Sequence, residues 1–80
     1  MKWGNKQYSS LNYIRKAKKK GYKAQLKYNS MYEHFYFLIE KENYTFNSLW
    51  VNLKYKTEEE CMLGCEKYID LLIKDDMRKE

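Results

Sequence analysis

Arg15, Lys16, Lys19, Lys20, Lys23 and Lys27, with Lys18 among them, lie in one stretch of chain that contains no Asp or Glu. Cationic side chains at that density can neutralise successive phosphates, each contributing through release of condensed counterions. Charge is sorted along the whole sequence: +9 over residues 1–28, zero over 29–56 and −4 over 57–80, which sums to the formal net charge of +5. Ordinary surfaces intersperse the two signs, so this sorting points to an N-terminal element that faces a polyanion. Lysine outnumbers arginine fourteen to two. Bidentate reading of base edges is mainly a task for Arg, Asn and Gln, so a nucleic-acid contact made here is expected to have weak sequence specificity.

Aromatic side chains form a second group. Strand alternation sets Tyr32, His34, Tyr36 and Leu38 on one face, beside Lys23, Lys27, Trp50 and Lys54. Rings interleaved with lysines can stack bases, can form an apolar patch for a protein partner, or can shield a sheet through cross-strand aromatic pairs. Tyr32, Tyr36, Trp50 and Lys54 are the contacts expected of this face.

Other chemistry finds little support in the residue types. His34 is the only histidine, and no Ser, Cys or carboxylate is positioned to work with it. Glu58, Glu59 and Glu60 are explained by helix capping, and Glu66 and Asp70 by a solvated helix face. Eighty residues offer little material for a catalytic pocket, so no enzyme, catalytic residue or cofactor is expected. Cys61 and Cys65 stand four apart on one helix face, a spacing that disfavours a disulfide. With a distant His34 they make no zinc site, and buried reduced thiols are the expected state.

The elements that carry these side chains follow from periodicity. Ser9 or Ser10 as N-cap, the stripe Leu11, Ile14 and Ala17, and Gly21 as a left-handed stop predict a first helix whose outer arc holds Arg15, Lys16, Lys19 and Lys20. Alternation predicts strands at Tyr22 to Tyr28, Tyr32 to Glu40 and Leu49 to Tyr55, the last with a rival helical pattern at Phe46, Leu49, Trp50 and Leu53. Thr57-Glu58-Glu59-Glu60 is a capping box that opens a final helix buried along Cys61, Cys65, Tyr68, Ile69, Leu72 and Ile73. Gly64, beside that stripe in mid-helix, is expected to allow close approach of another backbone. The expected fold is a single α+β domain ordered α-β-β-β-α, with a three-stranded antiparallel sheet and two helices on one face. Residues 1–8 read as an N-terminal extension, 9–74 as the compact domain and 75–80 as a fraying end. In this arrangement the basic helix face and the aromatic sheet face lie on opposite sides of the domain.

That element order resembles double-stranded-RNA-binding domains, and the strand followed by Thr57-Glu58-Glu59 and a helix resembles the DNA-binding domains of some integrases. The motifs of the first family differ: its lysine cluster at the start of the last helix is replaced here by Thr57-Glu58-Glu59-Glu60, and its Gly-Pro-x-His loop by Asn29-Ser30-Met31-Tyr32-Glu33-His34. No functional residue carries over from either family.

The expected function is a small basic binding module that contacts nucleic-acid phosphates through Arg15, Lys16, Lys19, Lys20, Lys23 and Lys27. The alternative is a protein-binding inhibitor or adaptor of mobile-element type, whose lysines meet an acidic or nucleic-acid-binding host protein and whose Tyr36 and Trp50 serve as anchors. An exposed sheet edge also leaves a homodimer open. No apolar run reaches the ~20 residues of a membrane span, so a soluble, cytoplasmic protein without membrane attachment is expected.

Overall fold

A computed structural model describes residues 1–78, the last of them by its backbone alone. Five strands form one antiparallel sheet in sequence order: β1 (Gln7–Ser9), β2 (Asn12–Lys19), β3 (Tyr22–Asn29), β4 (His34–Lys41) and β5 (Tyr44–Asn47). A short 3-10 helix, Ser48–Val51, and a single α-helix, α1 (Glu58–Arg78), complete the fold. The expected α-β-β-β-α order, with three strands and two helices, is therefore incorrect. One face of the sheet is covered by α1 and the other is open.

The difference lies mainly in residues 11–20, which are a strand and not a helix. Lys19 pairs with Tyr22, so Lys20 and Gly21 are the two central residues of a hairpin loop, with φ of 52° and 86°. Two positive φ values in a two-residue loop match the twist of the flanking strands. Gly21 does adopt the left-handed conformation that suggested a helix stop, but the same conformation serves a hairpin. Ser10–Leu11 and Glu42–Asn43 make the other two-residue loops, and Ser30 to Glu33 joins β3 to β4.

Register decides which side chains enter the core. Tyr13 pairs with Tyr28 and Tyr28 with Phe35; Ala17 pairs with Ala24, Ala24 with Ile39 and Ile39 with Phe46. These rows face α1, where Leu26, Phe37, Ile39, Cys61, Cys65 and Ile69 are wholly buried. Tyr68 stacks on Phe46 at 4.3 Å between ring centroids, so aromatic contacts join helix to sheet. Thr57 Oγ1 accepts the Glu60 N–H at 3.2 Å, the N-terminal cap expected from sequence. Burial pushes the thiols of Cys61 and Cys65 up to about 12, with neighbouring Glu58 adding to the shift at Cys61 and Cys61 and Glu66 at Cys65. Both thiols are therefore protonated and inert.

The expected strand over Leu49 to Tyr55 is also corrected. β5 ends at Asn47, whose side-chain oxygen accepts the Leu49 N–H at 2.9 Å and caps the 3-10 helix. Ser48 is fully buried, and its Oγ accepts the Phe37 N–H at 3.0 Å where β5 leaves the ladder. After this detour Tyr55 rejoins β4 through a bridge to Phe35. The Tyr55 ring then lies against Gly64, where a Cβ would come within 2.7 Å of the ring carbon Cζ. Close approach does explain Gly64, but a tyrosine ring, and not the expected backbone, is what approaches.

Within residues 1–8, Trp3 packs against the core, the Gly4 N–H donates to the Lys16 carbonyl at 2.8 Å, and Gln7 begins β1. Helix α1 runs through residues 75–78; residues 79 and 80 of the expected fraying end lie outside the described residues. No described helix is long and apolar enough to cross a membrane.

Candidate functional site

Because β2 is a strand, its basic residues divide between the two faces of the sheet. Arg15 and Lys19 point toward α1 along with Tyr13 and Ala17. Arg15 Nη1 makes a close ion pair with Glu58, and its Nε donates to the Gly4 carbonyl at 2.7 Å. Lys19 Nζ meets Asp70 at 2.6 Å. Two of the six expected phosphate contacts therefore serve the fold.

Glu58 gathers most of this inward charge. The Tyr13 hydroxyl donates to it at 3.1 Å, and Lys6 approaches it at 3.9 Å. Burial alone would raise the Glu58 carboxyl, but the hydrogen bonds from Arg15 and Tyr13 and the charges of Arg15 and Lys6 outweigh it and hold the group below its ordinary value. At the other end of the helix the Tyr22 hydroxyl donates to Asp76, which also meets Lys41 at 3.5 Å. The Tyr22 hydroxyl is pushed up to about 12, first by that hydrogen bond and then by burial.

The remaining cations of β2 and β3 face outward. Lys16 and Lys18 alternate with the inward residues of β2, and Lys23 and Lys27 do the same in β3. Lys18 is paired directly across the ladder with Lys23, and Lys23 in turn with Glu40. Like charges directly opposite one another destabilise a sheet, and Glu40 offsets them only in part. None of Lys16, Lys18, Lys23 and Lys27 forms an ion pair among the described residues. Lys16, Lys18 and Lys23, together with Gln25 and Glu40, line a shallow depression of about 510 Å³ that also reaches Ala17 and Ala24. Lys20 lies in the β2–β3 loop and lines a depression with Tyr22, Lys41 and Asp76 on the helix-covered side.

The aromatic group continues the same surface. Lys27 pairs with Tyr36, and Asn29 with His34, so both rings lie on the open face beside the lysines. Tyr32, in the loop before β4, stacks on His34 at 5.8 Å with the planes inclined by 14°. His34 in turn meets the edge of Tyr36 at 6.0 Å. Lys54 and Lys56 flank Tyr55 and line a concavity with Tyr32, Glu33 and His34. Trp50 does not join them. It projects from the 3-10 helix at the β5 edge, 67% exposed, and meets Phe46 of the helix-covered side edge-on.

The basic and aromatic groups, expected on opposite sides of the domain, are therefore one continuous face. Lys18 and Lys56 were not among the contacts expected from the sequence, the first because a helical projection put it at an apolar border. Alternation in this segment is broken by Ile14 on the open face and by Arg15 and Lys19 on the covered one, so the pattern gave only a weak signal. No family model matches this chain, and neither the curated proteins nor the solved structures compared with it yield a match.

Proposed function

We propose that the protein is a non-catalytic module that binds nucleic acid through the open face of its sheet, chiefly by phosphate contacts from Lys16, Lys18, Lys23 and Lys27. The observation that carries this reading is the direct opposition of Lys18 and Lys23 on a face whose four lysines have no ion-pair partner among the described residues. An arrangement that costs stability and is compensated only in part within the chain makes sense where an external polyanion supplies the rest. Weak sequence specificity follows from the use of lysine as a point charge. Arg15 and Lys19 have no part in this contact, since Glu58 and Asp70 already hold them.

Fluorescence anisotropy against labelled nucleic acid, titrated with salt, tests the reading. Four contacts to a single strand predict a log-log salt slope of about −3. The double substitution Lys16→Glu, Lys27→Glu should weaken binding more than tenfold and flatten the slope by about 1.4, with the thermal transition intact. Wild-type affinity in that variant, or no binding by the native chain even at low salt, would overturn the proposal.

A second reading, the protein-binding inhibitor or adaptor, draws support from the apolar ledge of Leu49, Trp50, Val51 and Leu53, all exposed at the β5 edge. It requires a salt-tolerant protein complex that Trp50→Ala disrupts and the lysine substitutions leave in place.

A further inference from the structure

We infer that the open face takes unpaired, single-stranded nucleic acid, with bases stacking on Tyr36 and on the Tyr32–His34 pair while the backbone follows the lysines toward the β2–β3 loop. This rests on the nucleic-acid reading above and names the form of the ligand. The first argument is one of shape. A duplex groove admits a helix or a two-stranded ribbon. The lysines here lie on β2 and β3, flanked across the same face by β4 and β5, which pair with β3 and with each other along Lys23, Glu40 and Thr45. Adjacent strands are ~4.8 Å apart, so four of them are too wide to enter a groove. The only long helix among the described residues lies on the opposite face and carries seven acids against three bases, a net of −4.

The second argument concerns the rings. Tyr32, His34 and Tyr36 alternate on one side of the chain and contact one another in series, parallel at the first step and edge-on at the second. Cross-strand pairing seats Tyr36 beside Lys27, so a base plane and a phosphate cation are neighbours. His34 Nε2 is buried without a hydrogen-bond partner, so ring contacts are what hold the imidazole on that side. Tyr32 is 67% exposed and belongs to a loop with Met31 at its tip, so it can adjust to an incoming base without disturbing the core. Stacking of this kind tolerates any base, because every base has a π-face.

Length bounds the site. Along β2, Asn12 to Lys18 is six residue steps, or ~20 Å at ~3.4 Å per step, room for about six stacked nucleotides and fewer if the strand is extended.

The test compares three labelled ligands with equal numbers of phosphates at one salt concentration: oligo(dT), a blunt duplex and an abasic phosphodiester strand. Each is measured with the native chain, Tyr36→Leu and Tyr32→Ala. The expected result is at least tenfold preference for oligo(dT) over both other ligands, with each tyrosine variant losing roughly tenfold on oligo(dT) alone. Tyr32 is in an exposed loop, so its variant remains informative should Tyr36→Leu fold poorly. Equal affinity for oligo(dT) and the abasic strand, or tighter binding of duplex, would overturn the inference and leave phosphate binding standing. Absence of binding to all three at low salt would remove both.

Discussion

Phe37 and Tyr36 are consecutive residues of β4, and they belong to two different chemical environments. Phe37 is wholly buried beneath α1, ringed by Phe46, Tyr55 and Tyr68. Tyr36 faces outward between Lys27 and His34. The same contrast holds along β2, where Arg15 and Lys19 meet carboxylates of α1 while Lys16 and Lys18 meet none among the described residues. On the covered face Arg15, Lys19 and Lys41 are each met by a carboxylate of α1. On the open face Lys18 is set against Lys23. Stability is thus concentrated on one side of a sheet about one residue thick, and the other side is left to interact.

Substitution across β4 gives the sharpest separation of the two faces. Phe37→Ala should cost about 3–5 kcal/mol in urea denaturation, enough to threaten folding of so small a domain. Tyr36→Leu should cost no more than about 1 kcal/mol in the same assay, although it removes the central ring of the open face. Equal losses would mean that the open face is a second core and would remove the contrast.

Acid titration isolates the covered face. Glu58 has a lowered carboxyl value in the folded protein, so the stabilisation it provides is present above the ordinary carboxylate range and is lost as pH falls through its folded value. Glu58→Gln should therefore be less stable than the native protein at neutral pH, on the order of 1 kcal/mol. The difference should close under acid, as followed by thermal unfolding from pH 7 to pH 3. A difference that stays constant with pH would assign the loss to packing and not to charge.

The smallest expected effect runs in the opposite direction. Lys18→Glu converts an opposed pair of like charges into an attractive one and should stabilise the fold by about 0.2–1 kcal/mol while weakening polyanion binding. Destabilisation by this change would mean that the open lysines already have compensation in the free protein.

Much of this was legible before the fold. Strand β3 was readable from strict alternation between Tyr22 and Tyr28, and α1 from its capping box and from the stripe through Cys61, Cys65 and Ile69. Lys23, Lys27 and Tyr36 were placed on one face by alternation and lie together on the open face, where Lys16, expected on a helical arc, joins them. What misled was β2. Leu11, Ile14 and Ala17 fit a helical stripe, Ser10 and Gly21 fit its two ends, and the inward Arg15 and Lys19 made an amphipathic strand look implausible. Leu11 is instead 78% exposed in a hairpin loop. Trp50 was misplaced for a related reason, since a buried serine draws the chain away from β4 before the expected strand can form.

From local order alone the chain determines its tight turns, its final helix, its apolar stripe and the sorting of its charges, because each depends on neighbours within a few residues. Whether residues 12–19 become helix or strand was decided only by the tertiary structure. Arg15 and Lys19 can point inward because Glu58 and Asp70 await them 43 and 51 residues further along the chain. Those partners make the strand affordable, and the strand in turn brings Lys16 and Lys18 onto the same face as Tyr36. A distant ion pair on one side of the sheet thereby decides what the other side presents.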